Sequence, residues 1–123
     1  MEKIIIDGQT PSKKNGKRIV RAKGRVFVVS SERYLSWEKQ AKESMKGMKM
    51  LEGPLKLTVD FYHKDRRKHD LDNELASICD LLTEGKVIKD DSCQVLRTVV
   101  GNFKGIDKDR PRAEIFLESI AES

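Results

Sequence analysis

Between Gly53-Pro54 and His63 the side chains alternate without a break. Leu55, Leu57, Val59 and Phe61 fall on one side of an extended chain, and Lys56, Thr58, Asp60 and Tyr62 on the other. A period of two marks a strand buried on one face and wet on the other. One such strand cannot cover its own apolar face, so the remaining chain must supply more strands and helices to pack on it. At 123 residues the chain has the usual size of one compact domain, large enough to bury a core without a metal or disulfide staple. Residues 1–123 therefore read as a single domain.

The rest of the pattern supplies those partners. Residues 3–6 read as a short strand, followed by a loop with Pro11, Asn15 and Gly16. Residues 18–20 and 25–29 read as a hairpin around Ala22-Lys23-Gly24. Ser30 or Ser31 can cap a helix running to about Met48, with Tyr34, Trp37, Ala41, Met45 and Met48 on its apolar face. Leu75, Ile78, Cys79 and Leu82 stand at i, i+3, i+4 and i+7 of a second helix, which Gly85 is placed to end in a left-handed turn. Residues 94–100 and 112–120 read as two more strands joined by a polar loop at 105–111. Two helices and five or six strands, partly linked by hairpins, predict an α/β (α+β) domain: a mixed β-sheet with two main helices packed on it.

Charge is distributed unevenly. The net charge is +5, yet residues 1–50 carry 13 Lys and Arg against 5 Asp and Glu. Lys13, Lys14, Lys17, Arg18, Arg21, Lys23 and Arg25 follow one another without an acid between them. Such a segment is either a solvated arm or a surface for a polyanion, because Lys and Arg contacts to phosphate supply the sequence-independent part of nucleic-acid affinity. No apolar run approaches the ~20 residues of a membrane span, and residues 1–7 are too short in apolar content for a signal peptide. The two cysteines, Cys79 and Cys93, form neither a disulfide framework nor a zinc spacing, so reduced thiols in a cytoplasmic protein are expected.

The chemistry-bearing pattern surrounds the second helix. Asp70 and Asp72 flank Leu71 where loop passes into helix. If that stretch is extended, both carboxylates point one way and Leu71 the other. Asp90 and Asp91 follow the helix, and a return through residues 85–89 can bring them beside Asp70 and Asp72. Gathered carboxylates need a cation, and oxygen-only donors favour Mg²⁺ or Mn²⁺ over zinc. Each piece also has an ordinary structural role: Asp72 or Asn73 as a helix cap, and Asp90-Asp91 as a turn pair. His63 and His69 are potential bases, although histidines in a basic loop more commonly contact phosphate or solvent.

The order of these pieces resembles a known family. Asp65-Arg66-Arg67-Lys68-His69-Asp70-Leu71-Asp72-Asn73, then Asp80-Leu81-Leu82, then Val87-Ile88-Lys89-Asp90-Asp91-Ser92-Cys93-Gln94-Val95 is similar to the central region of the RusA family of Holliday junction resolvases. Pro11-Ser12-Lys13-Lys14-Asn15 resembles that family's opening loop. The resemblance implies a homodimeric, Mg²⁺-dependent endodeoxyribonuclease that cuts four-way DNA junctions in recombination and repair, commonly encoded by phages or prophages. It implies that Asp70, Asp72 and Asp91 are the essential metal-binding carboxylates, with Asp90 adjacent. It also implies that Lys13, Lys14, Lys17, Arg18, Arg66, Arg67, Lys68 and His69 hold DNA, and that Asn73 fixes the helix start. Family members commonly carry a lysine one turn after the D-x-D-N motif; here Ala76 stands there, leaving Lys86 or Lys89 to replace it. The competing expectations are a non-catalytic nucleic-acid-binding protein and a Mg²⁺ nuclease acting on flaps or linear duplex.

Overall fold

The structure, a computed structural model, describes residues 1–12 and 17–120, with the backbone alone at 17, 18, 20 and 28–30. Six strands and two helices follow in the order β1 (Glu2–Asp7), β2 (Lys17–Ala22), β3 (Arg25–Ser30), α1 (Glu32–Ser44), β4 (Leu55–His63), α2 (Leu71–Glu84), β5 (Leu96–Ile106) and β6 (Arg112–Ser119). Four strands form one sheet in the order β1-β6-β4-β5, and β2-β3 form a separate two-stranded ribbon. β4 and β5 are parallel while β6 is antiparallel to both β1 and β4, so the sheet is mixed as expected.

The alternation in β4 is realised in full. Leu55, Leu57, Val59, Phe61 and His63 are buried, and the residues between them are half-buried. The buried face meets Ile4 and Ile6 of β1, Ala113, Ile115 and Leu117 of β6, and the apolar sides of both helices in a single core. From α1 come Tyr34, Trp37 and Ala41, followed by Met45, and from α2 come Ile78, Leu81 and Leu82. The β2-β3 turn places Lys23 (φ 51°) and Gly24 (φ 72°) in left-handed backbone, as a two-residue hairpin loop requires.

Local chemistry moved several boundaries. Ser31 caps α1, its Oγ accepting from the Tyr34 amide at 3.2 Å. That helix ends at Ser44 rather than near Met48, because the chain turns through Gly47 at φ 85°. Met48 still packs against the core from beyond the helix. Gly85 closes α2 in right-handed backbone (φ −76°), and Lys86 (φ 59°) takes the left-handed turn expected of Gly85. Space is tight at Gly85: a Cβ would stand 2.6 Å from Met45 Cε and 3.0 Å from the Leu81 carbonyl oxygen. β5 begins at Leu96, two residues later than expected, and continues through Gly101 to Ile106, because parallel pairing with β4 extends the ladder to His63–Ile106. β6 ends at Ser119.

The β4-α2-β5 crossover decides where the acids lie. β4 delivers the chain to the His63 end of the sheet, α2 carries it back, and β5 starts beside Leu55 at the other end. Among the described residues no helix is long and apolar enough to cross a membrane.

Candidate functional site

α2 opens with an unusual use of aspartate. Asp70 is the N-cap residue, with extended backbone (φ −85°, ψ 121°), yet its side chain bonds none of the free helix amides. An aspartate at this position ordinarily accepts from the amide two or three residues on. Instead Oδ2 of Asp70 receives the side-chain amide of Asn73 at 3.4 Å, while Oδ1 of Asp72 accepts the Asn73 backbone amide at 2.9 Å. Asn73 thus joins the two acids and fixes the helix start. Both carboxylates are exposed, at the helix end where the aligned peptide dipoles favour negative charge. Asp72 belongs to the first helical turn, so the extended Asp70-Leu71-Asp72 geometry expected from the sequence does not form.

Asp90 and Asp91 are not returned to this end. The amides of Val87 and Ile88 bond the Leu82 carbonyl, holding the return segment against the last turn of α2. The Ser92 carbonyl then accepts from Val95 and Leu96, at the start of β5. α2 has 14 residues, which places its two ends roughly 20 Å apart at 1.5 Å per residue. Asp90 has the turn role: its Oδ1 accepts the Ser92 amide at 2.9 Å, and Ser92 holds this carboxyl below the usual range. Asp91 is exposed beside it, and Lys86 and Lys89 are exposed in the same segment. Among the described residues no three His, Cys, Asp or Glu side chains are gathered into a group able to hold a metal.

Behind Asp70 lies a polar cluster that the sequence reading did not find. His63, the last residue of β4, is buried and its Nε2 stands 2.9 Å and 3.0 Å from the two carboxyl oxygens of fully buried Glu74. Burial pushes the Glu74 carboxyl up to about 7, while burial and then the neighbouring His69 push the His63 imidazole down. Both directions favour the uncharged pair. Gln9 completes the cluster: its Nε2 donates to Glu74 at 3.5 Å and its Oε1 accepts the Lys64 amide at 2.9 Å. Ser77 of α2 donates to the Pro11 carbonyl at 2.7 Å. Residues 9–11 are thereby fastened to α2 just before the basic segment begins. Within that segment Lys13 and Lys14 lie outside the described residues, and Lys17 and Arg18 open β2.

Two signals could have revealed this cluster. The odd-numbered register of β4, continued one step past Phe61, puts His63 inside rather than on phosphate or solvent. Glu74 stands four residues before Ile78, on the apolar side of α2.

The loop from His63 to Asp70 carries the basic residues. Arg66, Arg67 and Lys68 are exposed; Asp65 orders the loop by accepting the Arg67 amide at 3.0 Å, which holds its own carboxyl low. With His63, His69, Phe103 and Ile106 this loop lines a cavity of about 350 Å³. Cys79 is half-buried against the core and Cys93 is exposed; neither forms a disulfide.

The donor chemistry at the α2 start suits a hard divalent cation. Mg²⁺ is commonly held by one or two carboxylates, with waters and substrate phosphate oxygens filling the remaining positions. Asp70 and Asp72 present oxygen donors to solvent, and the Asp70 carboxylate accepts from no helix amide. The family model for endodeoxyribonuclease RusA matches residues 9–118, and the chain belongs to that family. No curated protein matches the chain.

Proposed function

We propose that the protein is a divalent-metal-dependent endodeoxyribonuclease that resolves four-way DNA junctions by paired nicks in recombination and repair. The observation that carries this reading is Asp70: an acid at the N-cap of α2 whose carboxylate caps nothing and faces solvent beside Asp72. Asp70 and Asp72 would hold Mg²⁺, or Mn²⁺ in its place. When bound, such an ion lowers the pKa of a water and stabilises charge on the departing oxygen. The chain's own residues do the rest. Asn73 keeps the two carboxylates at the helix start. Arg66, Arg67, Lys68 and His69, with the Lys13, Lys14, Lys17 and Arg18 arm, hold backbone phosphates.

Asp91 completes the acidic set in this reading, but from a second copy of the chain. The crossover sets Asp91 at the far end of α2 from Asp70, so an ion shared by all three acids needs a two-fold partner to present its own Asp91 segment. Lys86 and Lys89 travel with that segment and could supply the cation absent at Ala76. Asp90, engaged with Ser92, serves the turn first. A homodimer would also place two cutting sites about one axis, as symmetric nicks require.

The test is a synthetic four-way junction incubated with the purified protein. Nicking with Mg²⁺ and none in chelator is expected, and Asp70→Asn should retain binding while losing cleavage. Salt-sensitive binding without metal-dependent nicking would favour a non-catalytic DNA-binding protein instead. Equal cutting of junction, flap and duplex would remove the junction preference.

A further inference from the structure

The cavity between the basic loop and the outer end of β5 has a composition that phosphate binding alone does not explain. One wall is Asp65, Arg66, Arg67, Lys68 and His69; another is the apolar pair Phe103 and Ile106. β5 is the edge strand of the sheet, and Phe103 and Ile106 are 56% and 45% exposed there. The Phe103 ring packs on a buried neighbour. It stands 4.8 Å from the His63 ring, and His63 meets His69 edge-on at 4.9 Å. His63 is in turn locked to Glu74. The aromatic wall is therefore braced from behind. His69 also keeps a buried Nε2 with no hydrogen-bond partner among the described residues.

We infer that this cavity seats one unpaired nucleobase of the DNA, its ring stacked on Phe103, its polar edge toward His69, and its flanking phosphate on Arg66 and Lys68. The inference rests on the nuclease reading and names the feature of substrate that reading leaves open. The volume, about 350 Å³, lies within the range of ligand pockets. Aromatic faces flanked by cations bind unstacked bases with little regard to sequence, because every base has a π-face. The loop that forms the cavity runs directly into Asp70, so the seated base would neighbour the phosphodiester to be cut. In continuous duplex each base is held in the stack on both sides; at a branch point stacking is interrupted, so a base there is freed at lower cost.

A duplex with a single-nucleotide bulge tests the inference, compared with the same duplex whose bulged residue lacks its base. Binding is measured without divalent metal, so phosphates and charge are equal in the two probes. The wild-type chain should prefer the base-containing bulge by about tenfold, the size of one base–aromatic stack. Phe103→Leu should abolish that preference and Phe103→Trp should restore it. Equal binding of both probes by the wild type, or a preference that survives Phe103→Leu, would overturn the subsite. Junction nicking by the wild type is read separately. A protein that nicks junctions but ignores the bulged base refutes this subsite alone; one that prefers the base but never nicks refutes the nuclease reading alone.

Discussion

The Nε2 atom of His63 lies between the two carboxyl oxygens of Glu74, at 2.9 Å and 3.0 Å, in the corner where β4 ends and α2 has just begun. An ionised pair in so buried a place would lose hydration on both sides. Burial raises the acid and lowers the base, and the neutral pair satisfies the same hydrogen bond without a charge.

A pH dependence of stability follows. Glu74 binds its proton more tightly folded, at about 7, than at the ordinary 4.5. Its contribution is therefore full below pH 4.5 and is lost as pH rises through about 7. His63, lowered from 6.5, works in the opposite sense: its contribution is present above 6.5 and is lost as pH falls through its folded value. Above pH 6.5 only the Glu74 loss remains. Glu74→Gln keeps an amide on His63 without a titrating group, so urea unfolding should show the variant gaining on the wild type between pH 4.5 and about 7. The gain should be on the order of 2 kcal/mol. Parallel profiles would contradict the neutral pair.

Leu75 of α2 occupies the space over Gly101 of β5, with Cδ1 2.6 Å from where a Cβ would stand. Gly101→Ala should therefore cost about 1–3 kcal/mol, the ordinary range for overpacking. The measurement is the urea midpoint at unchanged slope.

Arg66 and Lys68 are assigned to phosphates. Replacing both with Gln should weaken DNA binding of every sequence alike and lower the slope of log affinity against log salt by about 2. An unchanged slope would remove them from the interface.

The two neighbouring acids past α2 should behave differently. Asp90 bonds the Ser92 amide, so Asp90→Asn should leave junction cleavage within a few-fold while loosening the turn. Asp91→Asn should reduce cleavage by roughly two orders of magnitude or more, as loss of a metal ligand's charge would. Similar rates for the two variants would undo the distinction.

Much of the fold was readable because periodicity is a local property. The alternation of β4, the Ser31 cap and the Lys23-Gly24 turn each announce themselves within a few residues. β5 was underestimated because Gly101 and Gly105 read as strand breakers in isolation; pairing with β4 carries the strand through them, and Leu75 fills the space at Gly101. The acids show the same limit more sharply. Nothing within residues 70–91 states whether the chain after α2 turns back toward Asp70 or continues into a parallel strand. The β4–β5 pairing settles that, and it separates Asp91 from Asp70 in one chain. Glu74 escaped notice because an acid one turn into a helix ordinarily serves the dipole at the surface, whereas here it faces a buried histidine.

The most direct measurement uses two inactive chains together. Asp70→Asn and Asp91→Asn variants, differently tagged and co-expressed, are purified as the mixed dimer and given a four-way junction with Mg²⁺. If Asp91 completes the partner's site, that dimer holds one intact set of acids and should nick a single strand, while each variant alone stays inactive. A mixed dimer as inactive as its parents, beside a wild type that nicks both strands, would contradict a site built from two copies.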